Sequence, residues 1–130
     1  MGVLLDTNAL IWLLNTHDGG NLGREAKQQI SDTDAVYASS ISVLEIRIKA
    51  MLGKLKAPET LLKDINAAGL KSISFTMEHA EALNHFPALS KHDPFDRMLL
   101  AQAKVEELTF LTSDTVLLSQ SIDFLVDARR

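Results

Sequence analysis

Val3-Leu4-Leu5-Asp6-Thr7-Asn8-Ala9-Leu10-Ile11-Trp12 is the stretch whose reading decides the fold. Val3-Leu4-Leu5 is a short apolar run of the kind a buried strand shows. Asp6-Thr7-Asn8 then supplies capping residues for a helix over Ala9–Leu14. The same succession returns along the chain. Ala35–Ala38 reads as a strand followed by a helix over Ser39–Leu52. Ser72–Phe75 precedes a helix over Met77–His85. Thr109–Thr112 precedes a short helix after Asp114. Further helices are expected over Gly23–Ile30, from Pro58 to Gly69, and from Asp93-Pro94 to about Glu107. Thr16–Gly20 reads as a loop and Phe124–Val126 as a last edge strand. Strands alternating with helices imply parallel crossovers, and uninterrupted apolar strands imply helices on both sheet faces. The expectation is an α/β three-layer sandwich with a central parallel sheet, formed as one domain over residues 1–130.

The composition agrees. The 130 residues are 46% hydrophobic and 23% charged, the balance of a globular chain rather than a disordered one. A chain of this length buries roughly two thirds of its unfolded surface, so it needs no covalent staple. It contains no cysteine, which excludes disulfides, thiolate metal sites and cysteine nucleophiles. The net charge of −4 argues against a globally basic nucleic-acid binder. No apolar run approaches the roughly 18–20 residues of a membrane span. Met1-Gly2-Val3-Leu4-Leu5-Asp6 has no basic region of a secretory signal, so a cytoplasmic location is expected.

In open parallel sheets, ligands bind at the carboxyl ends of the strands. That rule directs attention to Asp6, Ser39-Ser40 and Ser113-Asp114. Four acids stand out by position: Asp6 at the end of the first strand, Glu45 in the first turn of the helix after the second strand, Asp96 in the first turn of the helix opened by Pro94, and Asp114 after Thr109–Thr112. Gathered in one cleft, carboxylates repel: two unit charges about 4 Å apart cost about 4 kcal/mol at an effective dielectric of about 20. Protonation or a divalent cation relieves that repulsion, and hard oxygen ligands favour Mg²⁺ or Mn²⁺. Such a cation suits phosphate chemistry.

Each acid also has a structural reading. Asp6 can be an N-cap, and Asp114 likewise. Ser42-x-x-Glu45 has the form of a capping box, and Glu45 precedes Lys49 by four residues. Asp93 before Pro94 is an N-cap, which puts Asp96 at the third helical position. Arg97 can orient a carboxylate, hold a phosphate, or pair with Asp93. His92 reads as a loop histidine, and His17, His79 and His85 lack mutual metal-ligand spacing. Trp12, Met51 and Met98 fall at apolar helical positions and are expected in the core. Arg47, Lys49, Lys54, Lys56 and Lys63, against Glu59 alone, form the one basic stretch, suited to a phosphate backbone or to plain solvation.

Four segments together carry a family resemblance. Leu4-Leu5-Asp6-Thr7-Asn8-Ala9-Leu10-Ile11-Trp12 resembles the opening motif of PIN-domain nucleases. Ile41-Ser42-Val43-Leu44-Glu45-Ile46, followed by Gly53-Lys54-Leu55, resembles their second acidic motif in VapC-type toxins. His92-Asp93-Pro94-Phe95-Asp96-Arg97-Met98-Leu99-Leu100-Ala101-Gln102-Ala103 is the most specific element, and Leu111-Thr112-Ser113-Asp114 resembles the fourth motif. The resemblance spans essentially the whole chain, with the motifs in order. It implies a Mg²⁺- or Mn²⁺-dependent endoribonuclease, the toxin of a type II toxin–antitoxin pair, acting by metal-activated water on RNA phosphodiesters. Asp6, Glu45, Asp96 and Asp114 would be the catalytic quartet, with Asp6 and Asp96 as metal ligands. Thr7, Asn8 and Arg97 would support them, Asn8 standing where the subgroup often has His, and Lys49, Lys54 and Lys56 would meet RNA. A homodimer and a small inhibitory antitoxin lying across the acidic cleft are also implied.

Two other readings compete. A PIN module can bind RNA or protein without cleaving. A haloacid-dehalogenase-like phosphatase also begins with an apolar strand ending in Asp, but needs a second Asp two residues on, where Asn8 stands. Metal-dependent cleavage of total RNA separates the three.

Overall fold

The computed structural model describes residues 2–15 and 20–130; of the expected 16–20 loop only Gly20 falls among them, and His17 does not. Five strands, β1 (Val3–Leu5), β2 (Val36–Ser39), β3 (Lys71–Ile73), β4 (Thr109–Thr112) and β5 (Leu125–Asp127), form one all-parallel sheet in the order β3-β2-β1-β4-β5. The chain builds outward from β1 to β3, then returns to place β4 on the other side of β1. The strand order therefore reverses between β1 and β4, where such sheets leave a crevice at their carboxyl edge.

Side chains of β1 alternate between the faces, as a two-residue period demands. Val3 and Leu5 enter one core with Leu10, Ala26, Leu61, Ile65 and Leu111. Leu4 enters the other with Leu99, Leu100, Phe110 and Leu117. The first core lies under α1 (Thr7–Asn15), α2 (Arg24–Asp32) and α4 (Leu61–Ala67), the second under α6 (Pro94–Glu106) and α7 (Thr115–Leu118). Burying a core leucine contributes about 1.5–3 kcal/mol, and both faces of β1 are lined this way. The three-layer α/β/α expectation holds. No described helix is long and apolar enough to cross a membrane.

Several boundaries shift. Pro58 does not open a helix: α4 begins at Leu61, after Thr60, and ends before Gly69, whose φ of +79° fits a left-handed cap. The Met77–His85 helix is α only over α5 (Met77–Glu81), with a 3₁₀ turn over Ala82–His85. α3 (Ser40–Met51) carries the largest revision. It contributes Ile41 to one core and Ile46 to the other, so it is buried on two sides. Its inward face, however, also carries Ser42 and Glu45, while Leu44, Met51 and, beyond the helix end, Leu52 face solvent. Met51 is 86% exposed and is not a core residue; Trp12 and Met98 do pack against the cores. Turning two polar residues inward rotates the apolar stripe of α3 outward, a local conflict of the kind found at functional sites.

Candidate active site

Asp6 ends β1 and starts α1. Its Oδ1 accepts from Ala9 N–H at 2.7 Å, so the capping role is real. Its Oδ2 accepts from Ser113 N–H at 2.8 Å and from the Thr112 hydroxyl at 2.9 Å. Asp6 thus ties β1 to the end of β4 across the strand reversal. Burial pushes its carboxyl above the usual range; the bonds from Ala9, Ser113 and Thr112 oppose this, and the Glu45 charge adds to it. One lone pair on Oδ1 is left for another partner.

Glu45 is buried in the second turn of α3, not the first. The capping-box reading fails because Ser39, not Ser42, is the N-cap: its side chain accepts from Ile41 N–H at 3.0 Å. Glu45 Oε1 instead receives the Thr7 hydroxyl at 2.6 Å, and Oε2 receives Lys49 at 2.5 Å. Lys49 is held above its ordinary pKa chiefly by the hydrogen bond to Glu45, and the charges of Asp93 and Asp96 act in the same direction. It belongs to the cleft. Lys54 and Lys56 do not join it there: they follow the far end of α3, whose 12 residues rise about 18 Å.

Asp93 caps α6, accepting from Phe95 N–H at 2.9 Å and Asp96 N–H at 3.2 Å, with Pro94 at the first helical position. Asp96 is thereby aimed at Asp114 rather than spent on the helix end. Asp114 caps α7, accepting from Leu117 N–H at 2.9 Å, and keeps Oδ2 for the cleft. Burial, followed by the hydrogen bond and charge of Asp114, pushes Asp96 up to about 8. Partial burial acts upward on Asp114 too, but bonds from Asp96, Leu117 N–H and His92 hold it below the usual carboxylate range. The pair therefore shares a proton near neutral pH, carried by Asp96.

Arg97 does not pair with Asp93: its Nε donates to the His92 carbonyl at 3.0 Å. Asn8 Nδ2 donates to Ser113 Oγ at 3.3 Å, linking α1 to the loop after β4. His92, read from the sequence as a loop residue, lies with Nε2 at 2.9 Å from Asp114 Oδ2 and 3.8 Å from Asp96 Oδ2. Its four-residue spacing from Asp96 is the signal that points to the shared face. Among the described residues, His92, Asp96 and Asp114 form a group with one ligand atom each, all within 4.8 Å of one another. The cleft so comprises two inner acids, Asp6 and Glu45, each hydrogen-bonded to its own partners, and an outer group of two carboxyls and an imidazole. Oxygen-rich donors of that kind suit a hard or borderline divalent cation.

The PIN domain family model matches residues 3–121, and the chain belongs to that family. No curated protein matches significantly. Solved structures do. A toxin–antitoxin complex from Klebsiella pneumoniae superposes with a TM-score of 0.66 at 22% identity, covering 97% of each chain. VapBC2 from Rickettsia felis, bound to a DNA fragment from its promoter, gives 0.67 at 17% identity over 97% of this chain and 96% of that one. FitAcB from Neisseria gonorrhoeae gives 0.56 at 24% identity over 87% and 88%. At these identities the likeness concerns the fold.

Proposed function

We propose that this PIN domain is a divalent-metal-dependent endoribonuclease that serves as the toxin of a toxin–antitoxin pair. The observation that carries the reading is the Asp96–Asp114 pair beside buried Asp6 and Glu45: a parallel-sheet crevice holds four acids, and one keeps a proton to about 8. A fold with no use for that charge has no reason to bear its cost. Asp96 and Asp114 would hold the cation, with Asp6 offering its remaining lone pair. When bound, the cation polarises phosphoryl oxygens and makes water a stronger nucleophile at neutral pH.

The protein's own residues do the positioning. Thr7 fixes Glu45, and Asp6 locks β1 to β4, so the carboxylates stay near their working places without the cation. Lys49 brings a positive charge to the cleft, suited to an RNA phosphate, and Lys54 and Lys56 extend basic surface beyond α3. Arg97, anchored on the His92 carbonyl, sets the loop that enters α6.

The toxin role and the partner are supported by fold neighbours, one solved as a toxin–antitoxin complex and another as VapBC2 bound to promoter DNA. An antitoxin segment placing an Arg among the acids would substitute for the cation, because its planar fork pairs with carboxylates and does not lose its charge. The outward Leu44, Met51, Leu52 and Leu62 offer apolar surface for the expected homodimer. The deciding experiment incubates the purified protein with total RNA and Mg²⁺, Mn²⁺ or EDTA. Cleavage with metal, lost in EDTA and in Asp96→Asn, supports the reading. A folded protein that binds RNA and never cleaves it would be a silent PIN module.

A further inference from the structure

The acids of the cleft are accounted for by helix capping, by hydrogen bonding and by the proposed cation; the imidazole beside them bonds Asp114 Oδ2 at 2.9 Å but has no part in the proposed chemistry. His92 sits between the 3₁₀ turn Pro87–Leu89 and the start of α6. Its backbone is fixed at both ends: its N–H donates to the Leu89 carbonyl at 2.9 Å, and its own carbonyl accepts from Arg97 Nε at 3.0 Å. The ring is directed away from solvent, with the side chains of His92, Asp96 and Asp114 only 18%, 21% and 17% exposed. A histidine needed only to finish a loop requires no such double anchoring; the Leu117 N–H occupies Asp114 Oδ1, which leaves Oδ2 to face the ring.

We propose that His92 Nε2 is a direct ligand of the divalent cation held by Asp96 and Asp114, so that the site selects a first-row transition ion such as Mn²⁺ over Mg²⁺. This rests on reading the cleft as a metal centre and goes further by giving that centre a nitrogen donor. Two ligands at right angles, each about 2.1 Å from a cation, lie about 3.0 Å apart. The 2.9 Å between His92 Nε2 and Asp114 Oδ2 fits such a pair without movement of the backbone. For ligation the ring proton resides on Nδ1, leaving the Nε2 lone pair for the cation. Mg²⁺ gains little from replacing a water by imidazole; among the first-row ions the gain is smallest for Mn²⁺ and rises toward Fe²⁺, Co²⁺ and Ni²⁺.

The test measures metal binding, not turnover. Metal-free wild type, His92→Asn and His92→Gln are titrated with Mn²⁺ and Mg²⁺ by calorimetry, and bound Mn²⁺ is examined by electron spin-echo modulation for coupled ¹⁴N. The inference requires a ¹⁴N signal in the wild type that both substitutions remove, with Mn²⁺ affinity falling at least tenfold and Mg²⁺ affinity less than threefold. A wild-type Mn²⁺ complex with no ¹⁴N coupling overturns it, as does a parallel loss of both affinities, which would make His92 a prop for Asp114. Wild-type RNA cleavage separates the two levels. If metal-dependent cleavage persists without nitrogen coupling, His92 ligation alone fails. If no divalent ion binds and no RNA is cut, the metal centre itself fails.

Discussion

The Thr7 hydroxyl donates to Glu45 Oε1 at 2.6 Å across 38 residues of sequence, joining the turn after β1 to the inner face of α3. Thr7 Oγ1 also lies 3.1 Å from Ser42 Oγ. A hydroxyl has one proton, and the shorter contact to the carboxylate takes it. Thr7→Val keeps the shape and removes that proton. The loss is expected to cost about 1.5–3 kcal/mol, the range for a hydrogen bond to a charged group. RNA cleavage should fall at least tenfold, because Glu45 is no longer fixed, and Thr7→Ser should restore most of it. Denaturant melts and cleavage rates on the two variants check this. Full activity in folded Thr7→Val would remove Thr7 from the site.

Lys49 is the one cation of the basic stretch shown touching a cleft carboxylate, through Glu45. Lys49→Met is therefore expected to raise divalent-metal affinity, since a competing positive charge disappears. An exposed charge about 4 Å away is worth about 1 kcal/mol in water, or roughly fivefold in affinity. RNA binding should weaken in the same variant. Lys54→Gln with Lys56→Gln should flatten the salt dependence of RNA binding and leave metal affinity unchanged. Calorimetry with Mn²⁺ and RNA filter binding at several salt concentrations separate the two groups. Equal metal affinity in all variants would show that Lys49 does not compete for the site.

Much of this arrangement is legible from the residues. The apolar run before Asp6 and its repetition at Thr109–Thr112 identify the parallel sheet, because strands buried on both faces cannot alternate. Asp93-Pro94 marks the start of α6 for reasons local to the helix. What the pattern misreads is decided by tertiary contacts. Ser42-x-x-Glu45 obeys the spacing of a capping box, yet Glu45 is turned inward to Thr7, and the apolar stripe holding Leu44 and Met51 is turned out. His79 is similar: it is 1% exposed, and its Nδ1 accepts from Thr76 N–H at 2.9 Å while Nε2 meets Glu106 at 2.8 Å. The Thr76-x-x-His79 spacing of a capping box marks its local bonds, but nothing in the spacing marks Glu106. For His92 only the four-residue spacing from Asp96 is visible; its nearer partner, Asp114, is the N-cap of α7, and no local pattern links the two.

Gly23 offers a test of the fold alone. It precedes α2, where Gly23 N–H donates to the Ala128 carbonyl at 2.9 Å and Glu25 N–H to the Arg130 carbonyl at 2.7 Å. Its φ of −76° suits any residue, so only space is at issue. A Cβ there would lie 1.8 Å from the Arg130 carbonyl carbon and 2.4 Å from the Arg129 oxygen. Gly23→Ala is expected to destabilise by about 1–3 kcal/mol, as overpacking does. Gly53→Ala meets nothing within 4 Å but has a φ of +73°, so its cost of about 1 kcal/mol comes from backbone strain. Urea midpoints rank the two; a neutral Gly23→Ala would mean that the 129–130 backbone moves aside freely.

The proton on Asp96 links stability, pH and metal. Its carboxyl titrates near 3.8 in an unfolded chain and at about 8 in the folded one. Below about 4 both states hold the proton, so Asp96 contributes no pH dependence. Between about 4 and 8 the folded state keeps a proton that the unfolded state has released. Unfolding then releases a proton, and stability falls as pH rises, by up to about 1.4 kcal/mol per pH unit for one proton. Asp114, held below its ordinary value, exerts the opposite dependence only at more acidic pH. Metal-free protein should thus lose stability from pH 5 to 8, roughly, and Asp96→Asn should flatten that decline. A divalent cation reverses the sign. It replaces the proton, so its affinity rises with pH until Asp96 is ionised, and binding releases a proton measurable in weakly buffered solution. Urea melts across this range, with and without saturating Mn²⁺, give the comparison. If metal-free stability is flat and Asp96→Asn behaves as wild type, the carboxyl pair is ionised throughout, and the cleft binds its cation without displacing a proton.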